Sequence, residues 1–198
     1  MARPEITTRL RDGSRAVLRD VGPEDGPALL RGFAELSHQS RVFRFLHYVE
    51  RLSEAEVARL TSADGPRHEA VGAVVEVGPE EVPAGIAHYF CARGAADRAE
   101  LALTVIDRFQ GRGLGTLLLG RLMRCAALRG LSQFDALVHV RNDGMIHILR
   151  SLDAAERMEE GIRIFRLPLH RDPSRYPATR VGDAVRRAYA LSLDAAAA

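Results

Sequence analysis

One stretch constrains this chain more than any other. Val105-Ile106-Asp107-Arg108-Phe109-Gln110-Gly111-Arg112-Gly113-Leu114-Gly115-Thr116 joins a strand directly to a helix through three alternating glycines. Upstream, Glu100 to Ile106 alternates as a strand does. Downstream, Leu114, Leu118, Leu122 and Cys125 recur at helical spacing, and Gly130 supplies a stop. Glycines let a backbone turn tightly and approach a ligand with no Cβ atoms in the way. The N–H groups freed at the helix start then converge on one spot, where the helix dipole favours an anion. Such a loop suits a pyrophosphate, and it ties the fold to a sheet carrying helices.

The flanking pattern is consistent with that. Ile6 to Leu10 and Arg15 to Arg19 flank Asp12-Gly13, a hairpin turn signal. Pro23-Glu24-Asp25 opens a helix expected to run to about Leu36; proline and acids suit a first turn. Ser37 to Arg44 is ambiguous between helix and loop. Ser53 caps a short helix to Thr61, and Asp64-Gly65-Pro66 is a loop. Strands are expected at Glu69 to Val77, Ala84 to Cys91 and Glu100 to Ile106, separated by Gly78-Pro79-Glu80 and a polar loop at Arg93 to Arg98. Short connections between them predict an antiparallel meander. A strand at Phe134 to Val140, a helix capped by Asn142-Asp143 and closing strands at Arg157-Met158 and Ile162 to Leu169 follow. The fold class is therefore α/β of the α+β kind: a largely antiparallel mixed sheet flanked by helices. Residues 1–170 read as one domain. Residues 171–198 read as a helical or partly disordered tail, with an amphipathic helix at Val181 to Leu193.

Composition removes several chemistries. The chain has no lysine: all 28 basic residues of its 198 are arginine. A P-loop needs its Gly-Lys-Ser/Thr step, and Schiff-base chemistry needs a lysine amine, so both are excluded. With 26 acids the net charge is only +2, which gives no support to a nucleic-acid partner. Cys91 and Cys125 stand far apart, and the seven histidines show no ligand spacing, so no disulfide framework and no metal are expected. No apolar run approaches the roughly 18–20 residues that span a bilayer. The start, MARPEITTRL, lacks an apolar secretory core, so the expected location is the cytoplasm, without a membrane partner.

A dinucleotide fingerprint, G-x-G-x-x-G, would need a third glycine where Thr116 stands, and it normally follows the first strand. What remains is Gln-x-x-Gly-x-Gly at Gln110, Gly113 and Gly115. At these residues the sequence resembles the GNAT acetyltransferase family, whose acetyl-CoA loop reads Gln/Arg-x-x-Gly-x-Gly/Ala. The strand before it and the strand-Asn-helix at Val138 to Asn142 strengthen the resemblance, which covers roughly residues 6–169. Leu36-Ser37, Ser40-Arg41 and Arg44-Phe45 further resemble the LS-x-x-S-R-x-x-R-F opening of bacterial protein-lysine acetyltransferases.

The resemblance implies acetyl-CoA as cosubstrate and an amine acceptor, either a protein lysine or a small molecule; a homodimer is left open. It implies that Val105, Ile106, Gln110, Gly111, Arg112, Gly113, Gly115, Thr116 and Asn142 bind the cofactor, with the N–H of Val105 or Ile106 facing the developing oxyanion. Asn142 reads equally as a helix N-cap. An amine of ordinary pKa, about 10.4, must lose a proton before attack. Strand alternation sets Glu100 beside Ala102 and Thr104, and many members of the family carry a glutamate base there. One departure stands out. Many members place a thiolate-protonating tyrosine seven residues after the asparagine, where this chain has Leu149. That absence supports a second reading, a catalytically weak CoA-binding sensor or regulatory module. His88 and His139 read as sheet histidines.

Overall fold

The computed structural model describes residues 4–62, 67–91, 94 and 97–197. The loop expected at Asp64-Gly65-Pro66, and most of that at Arg93 to Arg98, lie outside them. Eight strands form one sheet: β1 (Ile6–Arg9), β2 (Arg15–Asp20), β3 (His68–Val77), β4 (Glu80–Phe90), β5 (Arg98–Val105), β6 (Gln133–His139), β7 (Ala155–Glu159) and β8 (Ile162–Pro168). Their spatial order is β1-β2-β3-β4-β5-β6-β8-β7. Every neighbouring pair is antiparallel except β5 and β6. Six helices accompany the sheet: α1 (Gly26–Ala34), α2 (His38–Phe45), α3 (Glu54–Thr61), α4 (Leu114–Leu128), α5 (Asp143–Arg150) and α6 (Arg180–Ala197).

The core lies mainly between the sheet and α4, whose Leu118, Leu119, Leu122 and Met123 are fully buried. Arg121 interrupts this apolar helix and is itself buried. It is satisfied by donating to the carbonyls of Leu18 and Pro4, both at 3.1 Å, and to Asp20 at 3.3 Å. The ambiguous segment after Leu36 is α2. It buries no residue completely, and its start rests on the Ser37 hydroxyl, which accepts from the Ser40 N–H at 3.2 Å.

Two boundaries differ from expectation. Pro23–Asp25 forms a separate 3-10 turn before α1. Strand β4 starts at Glu80, well before Ala84. Pro83 and the two glutamates conceal its start, and pairing skips Ala84: Ala73 faces Gly85 while Val74 faces Pro83. A bulge is where a strand tolerates proline. The last segment does not hang free. Helix α6 lies along α4, and at Gly120 a Cβ would stand 2.7 Å from that of Ala188. A glycine is required for that approach. Tyr189 donates to the His170 carbonyl at 2.9 Å and meets the Tyr176 hydroxyl at 3.2 Å.

Candidate active site

Strands β5 and β6 pair only at Arg98, Ala99 and Glu100, opposite Gln133, Phe134 and Asp135. Beyond Glu100 they part, and the wedge between them opens a cleft of about 560 Å³. Leu103, Thr104 and Val105 border the cleft from β5, the glycine loop forms one wall, and the start of α5 forms another. Gly111 and Gly113 have φ of +73° and +90°, so both positions call for glycine, and Gly113 is the N-cap of α4. First-turn N–H groups of a helix lack intrahelical partners. Here they open onto the cleft.

Most of the expected cofactor residues meet here. Val105, Gln110, Gly111, Gly113, Gly115, Thr116 and Asn142 all border the cleft. Two do not. Arg112 turns away, donating to Asp12 at 2.6 Å and to the Arg108 carbonyl at 2.5 Å, with its guanidinium 5.4 Å from the Phe109 ring centroid. Ile106 is buried, and its N–H donates to the Ala84 carbonyl at 2.9 Å. Alternation along the strand turns the Val105 N–H to the opposite edge, toward the wedge. The Val105 carbonyl accepts from the Gln110 side chain at 3.0 Å. Asn142 caps α5, accepting from the Met145 N–H at 3.2 Å, and borders the cleft as well.

Glu100 stands at the crotch of the wedge. It is exposed and borders a chamber of about 160 Å³ together with Phe43, Arg44, Ala102 and Asn142. On the far side of β5, α1–α3 cover a smaller apolar pocket of about 100 Å³. Leu149 is fully buried, so the side chain at that position faces the core; the α5 residues that border the cleft include Met145 and Ile148.

Sequence reasoning missed the cations. Arg11, Arg141 and Arg180 line the cleft, and among the described residues none of the three is ion-paired. Arg11 comes from the β1–β2 turn, where its N–H donates to the Arg112 carbonyl at 3.0 Å. Arg180 comes from the start of α6. Nothing in a chain with 28 arginines marks these three in advance.

The Ser37/Ser40/Arg41/Arg44 pattern turns out to be largely structural. Asp107 accepts from the Ser37 N–H at 3.1 Å, the Ser37 hydroxyl at 2.7 Å and the Ser40 hydroxyl at 2.9 Å. Burial pushes the Asp107 carboxyl up, but these hydrogen bonds outweigh it and hold the group below its ordinary value. The clasp fastens α2 to the start of the cofactor loop. Arg41 donates to the carbonyls of Leu36, Glu50 and Ala34 and covers the Phe33 ring at 4.5 Å. Arg44 contacts Nε2 of His88. His88 is buried, and its pKa lies well below the ordinary histidine value, first through burial and then through the nearby charge of Arg44. It is therefore neutral.

Known proteins share this design. The acetyltransferase (GNAT) domain family matches residues 15–155. The chain belongs to the GNAT acetyltransferase family. As a member it is an N-acetyltransferase. An acetyltransferase of Pseudomonas aeruginosa, PA5475, is 30% identical over 138 residues, covering 69% of this chain and 73% of that protein. Acetyltransferase Pat of Mycolicibacterium smegmatis is 33% identical over 152 residues, covering 75% of this chain; the chain spans only 44% of that relative's length. The GNAT domain of the S. lividans protein PAT superposes with a TM-score of 0.75 at 29% identity, over 83% of this chain and 97% of that one. A cAMP-binding acyltransferase from Mycobacterium smegmatis superposes with a TM-score of 0.60 at 25% identity, over 98% of this chain and 56% of that one. Among the described residues no helix is long and apolar enough to cross a membrane, and no group of three or more His, Cys, Asp or Glu could hold a metal.

Proposed function

We propose that the chain transfers the acetyl group of acetyl-CoA to a primary amine by direct attack, with Glu100 as general base. The observation that carries this reading is the meeting of two hollows at the parting of β5 and β6: an anion-suited cleft on one side and the Glu100 chamber on the other. Gln110, Gly111, Gly113, Gly115 and Thr116 are assigned to the pyrophosphate. Arg11, Arg141 and Arg180 are assigned to the phosphate charges. Asn142 contacts the pantetheine arm.

The chemistry follows from these placements. An amine enters through the chamber, where Glu100 removes its proton directly or through water. The nitrogen attacks the thioester carbonyl, whose oxygen turns toward the Val105 N–H, the donor that β4 leaves free. A protein lysine is the acceptor favoured by the resemblance around Leu36 to Phe45; a small amine fits the same chemistry.

The test is Glu100→Gln. Removing a general base lowers kcat/KM by about 10²–10⁴-fold. The variant should still be stabilised by acetyl-CoA, by about 2.7 kcal/mol at a hundred times Kd. An unchanged rate and pH–rate profile would remove Glu100 from the mechanism. A wild-type chain that acetyl-CoA fails to stabilise would remove the whole reading.

A further inference from the structure

Arg44 borders all three hollows: the cofactor cleft, the Glu100 chamber and the apolar pocket beneath α1–α3. Among the described residues no other does so. The side chain is half-buried, reached from the cleft, and its hydrogen bond to His88 engages a neutral ring. Among the described residues no carboxylate lies within ion-pair distance of it. The charged groups that face it are Glu100, which favours the cation, and Arg59, which opposes it; His68 stands behind His88. Burial above all, with Arg59, pushes the guanidinium down to about 10, so it stays charged at neutral pH. A cation in this setting lacks a full counter-charge.

Two negative charges develop at this junction during acetyl transfer. The carbonyl oxygen faces a backbone N–H. On α5 Leu149 is buried, and Asp143, Gly144, Met145, His147 and Ile148 border the cleft, so His147 is the alternative to Arg44 as partner of the departing sulfur. We propose that Arg44 is a further catalytic residue of this site, its guanidinium holding the CoA thiolate as the C–S bond breaks; this rests on the acetyl-CoA reading above. The first proton, taken by Glu100 before attack, passes to solvent; the neutral amine nitrogen then forms the C–N bond and gives its second proton to Glu100. The sulfur leaves with the bonding electron pair. Glu100 loses its charge as the thiolate gains one, so the guanidinium passes from one anion to the other.

The test needs no turnover. CoA is bound to the protein, and ionisation of its thiol is followed by the ultraviolet absorbance of the thiolate. A free thiol has a pKa of about 8.5, and a neighbouring cation lowers it. In the wild-type complex the bound thiol should ionise at least tenfold more readily than free CoA. Arg44→Gln and Arg44→Met, which remove the charge and keep an unbranched stem, should return it to the free value, while Arg44→Lys keeps part of the shift. Arg59→Gln should leave the shift in place. Having two neutral variants guards against one that does not fold. A bound thiol that ionises like free CoA in the wild type overturns the proposal, and so does a shift that survives in either neutral variant. Failure of CoA to bind the wild type at all would instead overturn the acetyl-CoA reading.

Discussion

The two sides of β5 are built on different principles. The cofactor side is built around backbone: a glycine loop, a helix start and a strand edge from one run of consecutive residues, with side chains such as Arg11, Asn142 and Arg180 added from elsewhere. The opposite side is made of side chains from α1, α2, α3, β3 and β4, held by contacts such as Arg44 with His88 and Arg41 with Phe33. Backbone geometry is encoded locally, by glycine spacing. Side-chain geometry is encoded by packing between distant segments.

Four changes probe that contrast, in order of expected effect. Gly113→Val attacks the backbone side. A non-glycine residue in the left-handed region costs about 1–2 kcal/mol, which read as affinity is about 5–30-fold. The KM for acetyl-CoA should rise by that factor with the amine KM little changed; steady-state kinetics with each substrate varied decides this.

Acid attacks the side-chain side. His88 is held neutral in the folded chain, so the unfolded chain takes up its proton first. Its stability is full above the ordinary histidine value of about 6.5 and falls as pH drops below it, by up to about 1.4 kcal/mol per pH unit. His170 is shifted the same way, by burial and then by Arg175, but it is more exposed and adds less. Thermal melts of wild type and His88→Gln from neutral to mildly acidic pH should show most of the slope vanish in the variant. Asp25 and Asp107 are lowered instead, so their contribution is lost only as pH falls through the carboxylate range.

Asp107→Ala cuts the clasp that links the two sides. Asp107 is exposed, so the loss is put at about 1 kcal/mol, or about fivefold in kcat/KM. Both substrates should bind less well; an effect confined to one would show that the sides are not joined there. The smallest effect separates two arginines that sequence alone does not distinguish. Arg180→Ala should raise the acetyl-CoA KM by about two- to fivefold, as an exposed ion contact does. Arg112→Ala should change it less, because that guanidinium is tied to Asp12. Equal effects would mean that Arg112 also reaches the cofactor.

The sequence reading follows the same division. The loop, α4, the meander and the place of Glu100 were legible because each is set by a local period or a turn. Helix α2 was not, since none of its residues is fully buried and its start rests on a serine cap and the Asp107 clasp. The start of β4 was hidden by Pro83, which the bulge at Ala84 accommodates. The arginines were least legible. Arg121 satisfies buried carbonyls, Arg41 braces α2, Arg112 stays on the surface and Arg180 faces the cleft, and only tertiary contact distinguishes them.

The approach of α6 to α4 at Gly120 bears on how the protein is made. The glycine loop and the Glu100 strand are synthesised before Arg180 and Val181, which border the same cleft. Until they arrive, the face of α4 around Gly120 is uncovered and the cleft lacks the part of its wall that Arg180 and Val181 supply. The cleft is therefore complete only once α6, a helix outside residues 15–155, has docked on α4.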